Sequence, residues 1–304
     1  MTRSAPIQHA FPGTNGTLCW FEWCADVAQG AAPRATLLLL HATGFHARLW
    51  DQVVAHLPTD VRIIAPDLRG HGRSYRPASM LHWAPNASDV GELLDTLTID
   101  GPLVAVGHSM GGFCVGWLAA HAPTRFARAL LIDPVLLAPE DYAARADSPV
   151  GEISDHPVAR RRNSWSSVEE MVARFATRPP YQSWASDVLS DYCTWGLVPA
   201  ADGNGLELGC PPALEASNYM GAQFNDHSGW LPNIICPVTV VRAKRGERSG
   251  GMDFSLSPTW PGLAAALADG RDVDWSDLSH FIPMEAPERT AALICAELAL
   301  SEQA

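Results

Sequence analysis

The chain has 304 residues, 47% of them hydrophobic, and a formal net charge of -12 at pH 7. That apolar mass is ample for a sizeable core, in one large domain or two small ones. So acidic a composition argues against nucleic acid and anionic membrane surfaces, both of which need a basic face, and a small-molecule substrate is expected instead.

The N-terminal MTRSAPIQHAFPG has no apolar export core, and no run is long enough to span a bilayer, so a cytoplasmic protein, monomer or homodimer, is expected. Gly16–Ala25 looks like an aromatic-rich strand, an edge or half of an opening hairpin, followed by a loop at Gln29–Pro33. Cys19 and Cys24 fall on opposite faces of that strand and cannot clip each other. The seven cysteines show no C-x-x-C or zinc-like spacing, which fits free thiols in a reducing compartment and no metal. Thr36–Leu40 is a wholly apolar strand ending in HATGF, with a helix expected through about Leu57. Arg62–Ala65 is another strand, closed by Pro66 and the glycine-punctuated loop Asp67–Ser74. Asn86–Leu97 reads as a capped helix with Val90, Leu93, Leu94 and Leu97 on one face.

Leu103–Val106 is a short apolar strand running into Gly107, His108, Ser109, Met110 and Gly111, a G-x-S-x-G followed by an alanine-rich apolar helix. Such a turn lifts Ser109 above the carboxyl edge of a sheet, while the glycines let strand and helix approach. Ala129–Ile132 is a further strand, ended by Asp133 and Pro134. Strand and helix alternate throughout, which predicts a parallel sheet covered on both faces.

From Leu136 to Pro232 the rhythm changes to helix-like pieces such as Val168–Thr177, without a convincing strand. The sheet pattern resumes with Pro237–Val241, a helix near Pro258–Ala268, a strand at Val273–Trp275, His280 in a loop and a closing helix from about Pro287 to Ala299. The expected organisation is core at 1–135, helical cap at 136–232 and core again at 233–304.

HATGF at 41–45, PDLRGHGRS at 66–74, VGHSMGG at 106–112, LIDP at 131–134 and SHFIPMEAPE at 279–288 occur in an order that resembles the α/β-hydrolase superfamily over nearly the whole chain. The resemblance implies a mostly parallel eight-stranded sheet, a serine elbow, an acid, a final histidine and a helical cap after the sixth strand. Ala42 stands where many members carry a second glycine.

A serine hydroxyl is a poor nucleophile at neutral pH and needs a base within hydrogen-bond reach, itself oriented by a third group. Ser109 is the candidate nucleophile and His280, just before the closing helix, the candidate base. For the acid, Asp133 is favoured, as in haloalkane dehalogenases and zearalenone-lactonase-like members. Glu247 and Asp253 in the loop after the next strand are the alternatives. The amide of Met110 follows the nucleophile and supplies one oxyanion donor; the family pattern makes the amide of Thr43 the other. His41, His71 and His108 sit in backbone-shaping motifs and are expected to hold loops. The cap is rich in aromatics, most of them expected in its own core, with Trp165, Trp184 and Tyr219 as candidate pocket walls. Arg160, Arg161 and Arg162 read as a solvated helix face, with a grip on a substrate carboxylate as the alternative.

A serine rather than an aspartate at the elbow points to acyl transfer, and the expected protein is a cofactor-independent hydrolase of an ester or lactone of a small, fairly apolar molecule. A carbon–carbon bond hydrolase of a ring-cleavage product and a weakly catalytic ligand receptor on the same fold are the competing readings.

Overall fold

Thr36–Leu40 and Leu103–His108 are buried at every position, an environment that the middle of a parallel sheet covered on both faces provides. The computed structural model describes residues 3–28, 31–145, 149, 151–246 and 254–302. In chain order its first strands are β1 (Ile7–Gly13), β2 (Gly16–Trp23), β3 (Thr36–Leu40) and β4 (Arg62–Pro66), with the short helix α1 (Asp51–Val54) between the last two. Next come helix α2 (Ala84–Thr96), β5 (Leu103–His108), helix α3 (Met110–His121) and β6 (Arg128–Ile132). The segment that follows carries helices α4 (Pro139–Arg145), α5 (Val168–Phe175), α6 (Ser186–Gly196) and α7 (Pro212–Gly221), and strands β7 (Ser164–Trp165), β8 (Leu197–Pro199) and β9 (Leu206–Leu208). It returns to β10 (Val238–Ala243), helix α8 (Leu263–Ala266), β11 (Gly270–Trp275), and helices α9 (Ile282–Glu285) and α10 (Pro287–Ser301).

Among the described residues the strands form an eight-stranded sheet in the order β1-β2-β4-β3-β5-β6-β10-β11 and a three-stranded one in the order β7-β9-β8. In the large sheet β1 and β2 are antiparallel to their neighbours and the remaining pairs are parallel. Two apolar layers flank it. One packs α2 and α3 against Leu38, Leu40, Ala105 and Leu131; the other packs α10 against Leu37, Leu39, Val104 and Val106. Neighbouring residues of each central strand thus face opposite layers, as the pleat requires.

Several elements differ from the sequence expectation for physical reasons. β1 was not legible because an edge strand with Pro12 and Gly13 and mostly exposed positions lacks a buried period. The segment after HATGF is a 3₁₀ turn at Ala47–Trp50 running into the four-residue α1, not a long helix. The helix expected near Pro258–Ala268 shrinks to α8, since Pro258 and Pro261 lack the N–H that a helix interior needs. The insertion between β6 and β10 does contain strands, but strands of two or three residues are too short to show an alternating pattern.

The elbow explains its own glycines. Ser109 sits between β5 and α3 with φ +57°, a left-handed conformation that side chains other than glycine adopt only under constraint. A Cβ at Gly107 would lie 2.1 Å from the carbonyl oxygen of Gly111, and one at Gly111 would lie 2.3 Å from that of Leu40 in β3. Both obstacles are backbone, so neither can rotate away. Gly111→Ala is expected to lower the unfolding free energy by about 3 kcal/mol, whereas Gly229→Ala changes it by no more than about 0.5 kcal/mol. A Cβ at Gly229 meets nothing within 4 Å; urea unfolding of the two variants checks the contrast.

Candidate active site

Three chain segments converge at the carboxyl edge of the sheet. β5 delivers Ser109, β6 ends at Asp133, and the loop between β11 and α9 carries His280. His280 Nε2 lies 3.0 Å from Ser109 Oγ and its Nδ1 lies 2.6 Å from Asp133 Oδ2. Asp133 adopts φ +43°, the other left-handed non-glycine residue among those described. That turn at the strand end swings its carboxylate across to the histidine. The second oxygen, Oδ1, accepts from the amide of Ala243 at 3.0 Å, from Thr259 Oγ1 at 3.1 Å and from Ser257 Oγ.

Asp133 has no solvent exposure. Burial by itself pushes its pKa up, but hydrogen bonding and charge from His280, then the donors Ser257 and Ala243, outweigh it and hold the carboxyl below its ordinary value. The ionised acid therefore fixes the ring with its proton on Nδ1 and leaves Nε2 to accept from Ser109. His280 is braced from its backbone too: its amide donates to Ser255 O at 2.8 Å, and His108 Nε2 donates to its carbonyl at 2.8 Å.

The loop after β3 lies beside the elbow. Thr43, like Ser109 and His280, lines one cavity of about 250 Å³, and the buried Met110 follows Ser109 as the first residue of α3. Gly112 and Phe113 both donate to the carbonyl of Ser109, while the amides of Thr43 and Met110 have no protein acceptor among the described residues. The histidines of the backbone motifs hold that loop in shape. His41 Nε2 accepts from the amide of Leu68 at 2.9 Å, and His71 Nε2 accepts from the amide of Gly44 at 3.0 Å. His41 Nδ1 then donates to Ala42 O and His71 Nδ1 to Arg69 O, so both rings are neutral bridges between loops 41–45 and 66–74.

The remaining sequence candidates separate. Tyr219 lines the Ser109 cavity, whereas Trp184 lines an adjoining chamber of about 280 Å³ and Trp165 packs in the insertion's own core against Phe175. The two cavities share Phe45, Tyr219, Phe254 and Phe281 as walls. Glu247 and Asp253 lie outside the described residues. Arg161 does not belong to a solvated helix face: it is inside, with Nη1 2.9 and 2.7 Å from the two oxygens of Glu215 and Nη2 3.1 Å from Tyr192 Oη. The run leaves Pro157–Arg160, a single 3₁₀ turn, so its members diverge. Arg160 and Arg162 stay near the surface, paired with Asp155 and Glu170. Missed from sequence were Glu215 and Asn218, two polar residues on α7 that resemble any solvated helix face until the fold buries them. Among the described residues no group of three His, Cys, Asp or Glu side chains is placed to hold a metal ion, and no helix is long and apolar enough to cross a membrane.

A parallel sheet with an elbow serine at its carboxyl edge and a histidine returning from the last loop defines an α/β-hydrolase fold. The chain matches the Alpha/beta hydrolase family over residues 37–293 and belongs to it, as an enzyme of that family. It is 30% identical over 290 residues to Lipase LipV of Mycobacterium tuberculosis, covering 88% of this chain and 95% of the relative. It is 36% identical over 97 residues to 3-oxoadipate enol-lactonase 2 of Acinetobacter baylyi, covering 32% of this chain and 36% of that one. Among solved structures, E-2-(acetamidomethylene)succinate hydrolase superposes with a TM-score of 0.72 at 21% identity, covering 96% of this chain and 98% of the other, a likeness of fold.

The neutral histidines make acid stability testable. Burial pushes His46 and His108 down to about 3 and His71 down to about 4. An unfolded histidine titrates near about 6.5, so below that value the unfolded chain binds more protons and stability falls with pH until the folded values are reached. The urea-unfolding free energy is expected to drop between pH 7 and pH 5, and His46→Gln to flatten that slope by about 1 kcal/mol per pH unit on average.

Proposed function

We propose that the protein hydrolyses a carboxylic ester or lactone of a small, fairly apolar molecule through an acyl-enzyme on Ser109. The observation that carries the reading is the unbroken hydrogen-bonded chain Asp133–His280–Ser109 at a cavity wall. His280 Nε2 takes the hydroxyl proton as Ser109 Oγ attacks the carbonyl carbon, while Asp133 stabilises the imidazolium that forms. The amides of Thr43 and Met110 receive the developing oxyanion. Collapse expels the alcohol, which takes the proton from His280; water then repeats the sequence on the acyl group and frees the serine. An aspartate at the elbow would suit alkyl transfer, whereas a serine suits acyl transfer. The lipase and enol-lactonase among the relatives support an ester or lactone as the bond broken.

The walls support the size and polarity of the substrate. A cavity of about 250 Å³ lined by Phe45, Trp83, Val135, Leu137 and Phe281 suits a compact apolar group. Reading Arg160–Arg162 as a carboxylate anchor loses its basis, because Glu215 already neutralises Arg161. Arg145, at the end of α4, does line the cavity and has no carboxylate partner among the described residues, which favours as a second reading a substrate with an acidic substituent.

Turnover of short-chain nitrophenyl esters and a lactone panel tests the proposal. Ser109→Ala is expected to lower kcat by at least about 10³-fold and Asp133→Asn by about 10²- to 10⁴-fold. Wild-type protein quenched during turnover should show the acyl mass on the peptide containing Ser109. Undiminished turnover in Ser109→Ala would overturn the reading. A half-ester of a diacid turned over faster than its neutral counterpart, with the advantage lost in Arg145→Gln, would select the second reading.

A further inference from the structure

The insertion reaches the reacting centre through Asn218, which is fully buried on α7. Its Nδ2 donates to Thr43 Oγ1 at 2.9 Å and lies 2.8 Å from Met110 Sδ. One side-chain amide therefore touches both residues whose backbone amides are assigned to the oxyanion, although Thr43 stands in the loop after β3 and Met110 opens α3. The backbone of Asn218 is anchored in turn, its carbonyl accepting from Trp83 Nε1 at 3.1 Å. One helical turn earlier, Glu215 supports the same loop: a Cβ at Gly44 would lie 2.5 Å from Glu215 Oε1, and Arg161 holds that carboxylate. Among the described residues Asn218 Oδ1 is buried without a partner. A core amide with an idle acceptor is poor filling, and what it retains is the bond made by Nδ2.

We propose that Asn218 is a positioning residue of the oxyanion hole, fixing the separation of the two backbone donors from the insertion side. The inference rests on the acyl-transfer reading above. Both donors must stand about 2.7–3.1 Å from the oxyanion at once, which a loop and a helix start meet only if something ties them together. The tie does not touch substrate, so its loss appears in the chemical step rather than in binding.

Asn218→Leu keeps the volume and removes the donor. With p-nitrophenyl butyrate its kcat is expected to fall about 10- to 100-fold with KM within about threefold of wild type. Binding of phenylboronic acid, which adds to Ser109 as a tetrahedral anion, should weaken by a similar factor. Thr43→Val removes the same bond from the other side and carries the test if Asn218→Leu does not fold. Its loss should match, and the double variant should be no worse than the poorer single one. Asn225→Ala separates positioning from general loosening. Asn225 ties the insertion to Trp83 and Leu81 without a bond to Thr43 or Met110, so its Tm should fall while kcat stays within about twofold. The proposal is overturned if Asn218→Leu or Thr43→Val keeps kcat within about twofold, if their losses multiply, or if Asn225→Ala loses as much. Undiminished turnover in Ser109→Ala would instead defeat the acyl-transfer reading itself.

Discussion

A carboxylate with no exposure to water keeps its charge because His280, Ala243, Ser257 and Thr259 all donate to it. Those donors come from the end of β10, from residues 257–259 and from the loop before α9, while Asp133 itself ends β6. The site therefore depends on a desolvated charge that unites segments far apart in the chain. An unpaired buried carboxylate would be neutral and of no use to the histidine; a fully paired one holds the imidazole in a single tautomer and orientation. Ser109 and Asp133 both sit in left-handed backbone, so the neighbouring ends of β5 and β6 carry the strain that points their side chains at one ring.

Around that axis the protein uses neutral histidines as struts. His41 and His71 join the loop after β3 to the loop after β4, and His108 holds the carbonyl of His280. Uncharged rings suit this role because each can accept at one nitrogen and donate at the other in a site that tolerates no further charge. The result is a rigid frame in which His280 is the histidine placed against the serine.

The insertion contributes more than a wall. Glu215 and Asn218, on one face of α7, press on Gly44 and Thr43, and the ion pair of the partly buried Arg161 with the buried Glu215 ties α7 back to the rest of the insertion. A segment that reads as an accessory to the sheet is thus in contact with the loop beside the elbow, and the proposed chemistry and the proposed specificity share one support.

The sheet, the elbow and the histidine before the last helix were legible in the chain because each has a local signature. Apolar runs such as Thr36–Leu40 have no place but a doubly covered strand, and the glycines around Ser109 answer to backbone contacts within the elbow and with β3. The carboxylate that meets His280 was not legible to that degree. Asp133 differs from other acidic residues only in the donors that surround it, and those come from positions more than a hundred residues away. Arg161, Glu215 and Asn218 were misread or missed for the same reason, since a polar residue on a helix or turn looks solvated until a partner from elsewhere buries it. Local sequence thus determined where the backbone must run apolar or turn tightly, because those demands act between neighbours. Which polar groups lose their water, and against which partners, was decided only by the tertiary structure, because desolvation depends on what the fold brings to the same point in space.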